Sequence, residues 1–381
     1  KKALIKKVGP LKSAAVAAAG RALYTMTASA EMEFNGIITP EQERSLDFAG
    51  VQAAQAQLAT SGTVEDLANY YCVGYSTVKY ELDGTKLKTL VGQRGRIASA
   101  TVIATFLPRQ VIDSMHSALQ SVKLDMHALT LEPIAAINVL IPPTMRHLNL
   151  VLVDIGAGTS DVAITRNGSV IAYGMVPQAG DEITDAISQQ YLLDFNVAEQ
   201  LKRDATNGLQ CHFADIMGME YDLSATEVLK PVLPNIHKLA ESIAQQILEL
   251  NGNEPPQAVI LVGGGSLTPH LSDYVAEIMN LPMGRVAVRH PDKIDGIVDI
   301  PEELRLPDAV TPLGILKIAS LNTLHFLRVY VNDTEYSLFN FRDLTVSDAL
   351  LNAGIILKKL NGRPGLGAML KINGENKFIP G

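Results

Sequence analysis

Two short apolar runs, each ending in a glycine turn, constrain this chain more than any other feature. Leu148 to Val153 and Ala258 to Val262 are near-continuous runs of Leu, Val and Ile. A strand with so little polar alternation is covered on both faces, so the expected fold is α/β, a sheet with helices packed on either side. The first run leads into Asp154-Ile155-Gly156-Ala157-Gly158-Thr159-Ser160-Asp161, and the second into Gly263-Gly264-Gly265-Ser266. Small residues directly after a buried strand let the backbone turn back and present successive N–H groups as an anion cradle, with phosphate the natural guest. Asp154 would then orient the hydration shell of a magnesium ion, which keeps several waters and takes few carboxylates. Taken alone, the first segment also reads as a tight hairpin with a surface aspartate, and the second as an ordinary strand-to-helix turn. The first segment is neither a Walker loop nor a Rossmann fingerprint: no G-K-[ST] follows, and a strand stands where a helix would be required.

The chain has 381 residues, which sets a prior of two to three domains. Hydrophobic residues make up 47% and charged residues 19%, enough apolar surface to offset the entropy of ordering and to exclude wholesale disorder. The net charge of −8 argues against a sequence-independent grip on nucleic-acid phosphates. Cys72 and Cys211 stand far apart without CxxC spacing, so neither a disulfide framework nor a sulfur-rich metal site is expected, and a cytoplasmic protein is the simplest reading. No run reaches the ~18 apolar residues of a spanning helix. Lys1, Lys2, Lys6 and Lys7 ahead of the alanine-rich Ser13 to Gly20 imitate a signal peptide, but that stretch is short, leucine-free and preceded by Gly9-Pro10. The chain does not begin with methionine, so the natural N-terminus is expected to lie outside it. The eight histidines are scattered without metal-ligand spacing.

Thr39-Pro40-Glu41-Gln42 carries a capping hydroxyl, a proline at the first helical position and a glutamine at the third, predicting a helix to about Ala59. Thr101 to Phe106 reads as a strand, and Val111, Met115, Leu119 and Val122 recur at helical spacing. Residues 38 to about 125 therefore form a small α+β unit. Asn167-Gly168 predicts a hairpin turn with a strand through Tyr173. Residues 225 to 250 read as helical, bent at Pro231 and Pro234. Glu199, Lys202 and Arg203 share one helix face at i, i+3 and i+4, the spacing also of a plain solvated ion-pair cluster. In the last 58 residues, strands at His325 to Val331 and Glu335 to Phe339 flank Asn332-Asp333. A helix opens at Thr345-Val346-Ser347-Asp348, and a second hairpin turns at Asn373-Gly374. That order fits a β-grasp module with Leu321 to Leu324 as its linker.

In order along the chain these pieces resemble the actin-like ATPase superfamily, and within it the FtsA family. Asp154 to Asp161 resembles the superfamily's second phosphate loop, Val262 to Ser266 its adenosine loop, and Ala198 to Arg203 the FtsA helix that touches ribose and adenine. Leu131-Glu132-Pro133-Ile134-Ala135-Ala136 and Pro307-Asp308-Ala309-Val310-Thr311-Pro312-Leu313-Gly314 resemble the two segments connecting the lobes. Gln178-Ala179-Gly180-Asp181-Glu182-Ile183-Thr184 resembles the turn beside the γ-phosphate. The unit at 38–125 takes the place of the FtsA insertion known as subdomain 1C, and pilus-assembly PilM shares that layout.

The resemblance implies a two-lobed, ribonuclease-H-like ATPase fold. Residues 1–37 and 126–146 would belong to lobe I, and 38–125 would be the 1C-like insertion. Residues 147–184 would be lobe II core, 185–255 its inserted helical subdomain, 256–321 lobe II core and the return to lobe I, and 322–381 the β-grasp-like module. It implies ATP and Mg2+ as ligands, with Gly156, Gly158, Thr159 and Gly180 around the phosphates. Glu199, Lys202, Gly263, Gly264 and Gly265 would surround the nucleoside, Asp154 would hold the metal's waters, and Glu132 or Asp181 would position an attacking water. The family's first phosphate loop, a D-x-G-x-x hairpin, is not among these residues, so ATPase activity is expected to be weak at most. Ala157 and Ala179 replace glycines of many relatives, which only a positive backbone angle would forbid. The implied role is an ATP-dependent scaffold that self-associates through the 1C-like unit and meets the tubulin-like division protein FtsZ at the inner face of the cell membrane. No membrane segment within these residues and no nucleic-acid partner are expected. A pseudo-ATPase, a PilM-like pilus protein and a small-molecule kinase of the same superfamily are the rival readings.

Overall fold

The computed structural model describes residues 2–18, 23–60, 70–292, 294, 296–320, 325–332, 334–340, 346, 368–372 and 375–379. The chain forms two compact units, residues 1–323 and 324–381.

The first unit opens with α1 (Lys2–Val8), an exposed helix that buries no side chain, followed by β1 (Ser13–Ala18). Within the stretch that imitates a signal peptide, Ser13 to Ala18 is thus a strand. β1 pairs in parallel with β6 (Asp125–Leu131), and the connection between them carries the inserted unit. That insertion comprises β2 (Tyr24–Glu33), α2 (Pro40–Thr60), β3 (Tyr70–Leu82), β4 (Thr85–Leu87), β5 (Ile97–Pro108) and α3 (Arg109–Ser121). Its sheet runs β2-β5-β3-β4. β2 pairs with β5 from Tyr24 opposite Phe106 to Glu33 opposite Ile97, so the small sheet takes in residues ahead of the expected boundary at 38. The α2 start is the predicted capping box: the Thr39 N–H donates to the Gln42 side chain at 2.9 Å, and the Gln42 N–H to the Thr39 hydroxyl at 3.3 Å. Leu46, Ala54 and Leu58 of α2 are fully buried in the cores it shares with this sheet.

After β6 the chain enters α4 (Glu132–Leu140), whose second residue, Pro133, lacks an N–H that the helix start does not need. Then come β7 (Leu150–Ile155), β8 (Ser160–Arg166) and β9 (Ser169–Val176), an antiparallel meander. Asn167 and Gly168 both take positive φ at the β8–β9 turn, as a type I′ hairpin requires. Next are α5 (Gly180–Tyr191), α6 (Phe195–Thr206), the hairpin β10 (Cys211–Ala214) and β11 (Glu220–Leu223), α7 (Ala225–Leu229) and α8 (Leu233–Leu250). A 3-10 turn at Lys230–Val232 separates α7 from α8, at the prolines expected to interrupt the run. Residues 185–255, expected to be a helical subdomain, therefore include a two-stranded hairpin as well as helices. β12 (Ala258–Val262), α9 (Leu271–Ile278), β13 (Val286–Val288) and α10 (Val310–Ser320) complete the unit.

The central sheet has the order β13-β12-β7-β8-β9; β12 and β13 run parallel to β7, and the pairs β7–β8 and β8–β9 are each antiparallel. All six residues of β7 are buried, which explains the apolar run Leu150 to Val153 ahead of the buried Asp154. One face packs against α5, α8 and α9 through Val151, Val153, Ile183, Ile187, Ile243 and Val275; the other packs on α4 and α10 through Leu152, Ile137 and Val310. This is the helix-on-both-faces architecture anticipated from the sequence.

The second unit shows two antiparallel hairpins, β14 (His325–Val331) with β15 (Thr334–Asn340) and β16 (Ala368–Ile372) with β17 (Glu375–Ile379). The expected linker at 321–324 and the turn at Asn373-Gly374 lie outside the described residues. Of the helix start at 345–348 only Val346 is described, in helical conformation.

Candidate functional site

The site is assembled by strand register. Because β7 and β12 are adjacent and parallel with Asp154 beside Val262, their two glycine turns leave the same end of the sheet side by side. That end, at the carboxyl termini of parallel strands, is where an α/β sheet presents a crevice to ligands. Gly263 has φ +81°, and a Cβ there would lie 2.3 Å from the Ile155 carbonyl oxygen and 2.5 Å from Asp154 Oδ1. Only glycine allows this contact between the two turns. Gly265 lies as close, its absent Cβ falling 2.8 Å from the Gly156 carbonyl, while Gly264 at the tip is exposed.

The phosphate-type loop is closed by the Gly156 N–H donating to the Thr159 carbonyl at 2.9 Å. Gly156 and Ala157 are exposed at its tip, and Gly158 and Thr159 are half-buried. Ala157 is not among the residues with positive φ, and Ala179 is extended at φ −162°, so neither position requires glycine. Two bonds staple the start of α5 onto this loop: the Gly180 N–H to the Gly156 carbonyl at 3.2 Å and the Asp181 N–H to the Ala157 carbonyl at 2.8 Å. The Glu182 carboxylate accepts the Ala179 N–H at 2.6 Å, capping the helix.

α6 reaches the same place from the inserted subdomain. Asp194 caps it by accepting the Asn196 N–H. Lys202 Nζ, one of the less exposed lysines, donates to the Gly180 carbonyl at 3.0 Å and the Thr184 hydroxyl at 2.8 Å, and pairs with Glu199 at 2.6 Å. Glu199 also accepts from Thr184 Oγ1 at 2.6 Å and Arg203 Nε at 2.8 Å. Burial alone would raise its pKa, but the Lys202, Thr184 and Arg203 donors outweigh that and hold it down at about 2. The trio that reads in sequence as a surface ion-pair cluster is thus anchored to the phosphate-side turn.

The carboxylates form the other wall. Asp154 is buried, which raises its pKa, and its Oδ2 accepts a short hydrogen bond from the Thr311 hydroxyl. Asp161 lies directly across from it on β8 and is 1% exposed; residues paired this way put their side chains on the same face. Glu132, the first residue of α4, has its pKa pushed up to about 7, first by burial and then by the charge of Asp154. Among the described residues no group of three or more His, Cys, Asp or Glu side chains could encase a metal ion. A pair of buried carboxylates beside loop backbone suits instead a magnesium ion that keeps most of its waters. The Gly263 N–H donates to the Pro307 carbonyl at 3.0 Å, which ties the second glycine turn to the segment returning to lobe I.

The structure therefore brings Asp154, Gly156, Gly180, Lys202, Gly263 and Gly265 into one cluster, with Glu199, Glu132 and Asp181 at its borders. Two hydroxyls went unassigned in the sequence, Thr184 and Thr311. Thr184 lies one turn beyond Gly180 on α5, a spacing that could have marked it, whereas Thr311 is recognisable only through its partner 157 residues away.

A five-stranded sheet covered by helices on both faces, with paired glycine turns at its carboxyl end, fits the two-lobed actin-like ATPase fold. A solved PilM-PilN type IV pilus biogenesis complex shares that fold, with a TM-score of 0.52 and 17% identity over 80% of this chain and 79% of that one. Residues 151–314 match the family model of the cell division protein FtsA. Curated FtsA proteins are similar to the chain: that of Pseudomonas aeruginosa is 25% identical over 56% of this chain and 52% of its own, and that of Neisseria meningitidis 24% identical over 55% and 51%. The chain is thus similar to FtsA over residues 151–314 and has an actin-like fold, and it spans about half the length of the curated relatives it matches. Among the described residues no helix is long and apolar enough to cross a membrane.

Proposed function

We propose that the chain binds ATP with magnesium in the crevice between its lobes and uses the bound nucleotide to set their closure, as a self-associating scaffold in bacterial cell division or envelope assembly. The observation that carries this reading is the stacking of the two glycine turns on one another beside Asp154, with Lys202 fastened to Gly180 at the same point. Exposed Gly156, Ala157 and Gly264 leave room for phosphates and nucleoside, and a divalent cation would supply charge neutralisation there. Asp154 and Asp161 are the carboxylates placed to orient its waters, and Glu132 or Asp181 would position an attacking water.

Glu199 and Lys202 would meet the nucleoside, already pre-set by their mutual bond. The names of the matching relatives support division as the process; FtsZ as the partner and the 1C-like unit as the self-association surface follow from the resemblance of the sequence alone. The β-grasp-like reading of residues 322–381 rests on the two hairpins and the order of strands. Binding of a fluorescent ATP analogue should require magnesium and disappear in Asp154→Ala. Binding independent of both magnesium and Asp154 would refute the reading, and turnover that depends on a small-molecule acceptor would favour the kinase alternative.

A further inference from the structure

α4 and α10 pack side by side in the same direction. At the middle of the contact a Cβ on Gly314 would fall 2.2 Å from the Ala135 carbonyl oxygen, so the two backbones nearly touch. One turn further along each helix, Lys317 Nζ donates to the Asn138 carbonyl at 3.0 Å. Advancing by three residues on both helices keeps the partners matched, so moving back by three from the close contact brings Thr311 and Glu132 to the same end. That end faces Asp154. Thr311 donates its hydroxyl hydrogen to Asp154 Oδ2, and the charge of Asp154 is felt at Glu132. The other carboxylate oxygen, Oδ1, lies against Gly263, where an added Cβ would stand 2.5 Å away. Asp154 is only 7% exposed, so its orientation is set by these neighbours rather than by solvent.

We propose that Thr311 is a positioning residue: its hydroxyl, carried by the helix that returns to lobe I, holds the Asp154 carboxylate of lobe II in the orientation that receives the hydrated metal. The Gly314–Ala135 contact acts as the ruler, because it fixes Thr311 and Glu132 at one height against Asp154. The inference rests on the magnesium-nucleotide reading of the crevice, and it adds a specific demand: what matters at 311 is a hydroxyl donor, not bulk or branching. Valine keeps the shape of threonine and removes the donor, whereas serine keeps the donor and removes the methyl group.

The experiment compares Thr311→Val, Thr311→Ser and Thr311→Ala in the full chain with two readouts. The first is the magnesium concentration that half-saturates binding of a fluorescent ATP analogue. Loss of a group that orients a metal-binding carboxylate costs roughly tenfold or more in metal affinity, so Thr311→Val and Thr311→Ala should need about that much more magnesium, and Thr311→Ser should stay near wild type. The second readout needs neither metal nor nucleotide: thermal midpoints in EDTA for Thr311→Val and Asp154→Ala, singly and combined. If Thr311 acts through Asp154, its substitution costs little once Asp154 is gone, and the cycle is non-additive. Equal effects of valine and serine, or a Thr311→Val shift of the same size with and without Asp154, would overturn the proposal. If wild type shows no magnesium-dependent nucleotide binding, the crevice reading fails, and the EDTA cycle still decides the role of Thr311.

Discussion

Glu132→Gln offers the sharpest test of the crevice electrostatics. Glu132 has its pKa raised from 4.5 to about 7, by burial first and by Asp154 second. Each pH step between those values is worth about 1.4 kcal/mol of preference for the protonated form, an upper bound near 3 kcal/mol. The side chain is partly exposed, and solvent screening trims this to about 2 kcal/mol. The sign follows from proton counting. The folded state holds its proton more tightly than the unfolded state, so this contribution to stability is full below about pH 4.5 and is lost as pH rises through about 7. Glutamine carries no charge at any of these pH values. In EDTA without nucleotide, Glu132→Gln should therefore match wild type at pH 5 and exceed it at pH 8 by about 2 kcal/mol, a thermal shift of a few degrees for a unit of this size. The comparison isolates Glu132, because Asp154, also raised by burial, is present in both proteins. Saturating magnesium with ATP should shrink the difference by lowering the cost of the charge. An offset between the two proteins that is the same at pH 5 and pH 8 would refute the claim that Glu132 is strained by its surroundings.

Two further outcomes follow from the geometry. Gly263→Ala combines a positive φ with a Cβ 2.3 Å from the Ile155 carbonyl, so it should cost about 2 kcal/mol or more in stability and prevent nucleotide binding, read by thermal unfolding and analogue fluorescence. Ser169→Ala removes the hydroxyl that donates to the Thr77 carbonyl at 2.7 Å; it should cost about 1 kcal/mol and speed amide exchange in β3 before the rest of the molecule, as hydrogen-exchange mass spectrometry would show.

What could be read from the sequence was what is local. The runs Leu148 to Val153 and Ala258 to Val262 are apolar because both sheet faces are covered, and their glycines follow at once. Thr39 and Gln42 cap a helix from within four residues, and Asn167-Gly168 sets a hairpin on its own. β2 was legible but went unread: Tyr24, Met26, Ala28, Ala30 and Met32 alternate strictly with Thr25, Thr27, Ser29, Glu31 and Glu33, the period of a half-buried strand, whereas its partner β5 lies some seventy residues on. The pairing is decided by tertiary packing, which no window of sequence contains. The same limit hid Thr311: a threonine in an apolar helix has many structural uses, and only the fold brings Asp154 to it. Glu199 and Lys202 were legible as a pair, but their attachment to Gly180 through Thr184 depends on how α5 and α6 pack.

The inserted sheet is seated on both lobes, and this bears on how a nucleotide could be sensed at a distance. On the lobe I side, Gly74 of β3 lies so close to α4 that a Cβ there would come within 2.9 Å of Ile134 Cδ1, two residues from Glu132. Three residues further along β3, Thr77 receives the Ser169 hydroxyl of β9 on its carbonyl, and its own hydroxyl donates to the buried Asp47 of α2 at 2.8 Å. Tyr80 donates to the same carboxylate, which burial raises in pKa against these two donors. One strand therefore meets the helix that carries Glu132, the edge of the sheet that carries Asp154, and the polar core of the insertion. Packed interfaces of this kind yield by discrete re-seating rather than by continuous deformation. A change in lobe closure must then re-seat β3 against α4 or break its bond to Ser169, and either event alters the sheet through which we propose the chain associates with itself.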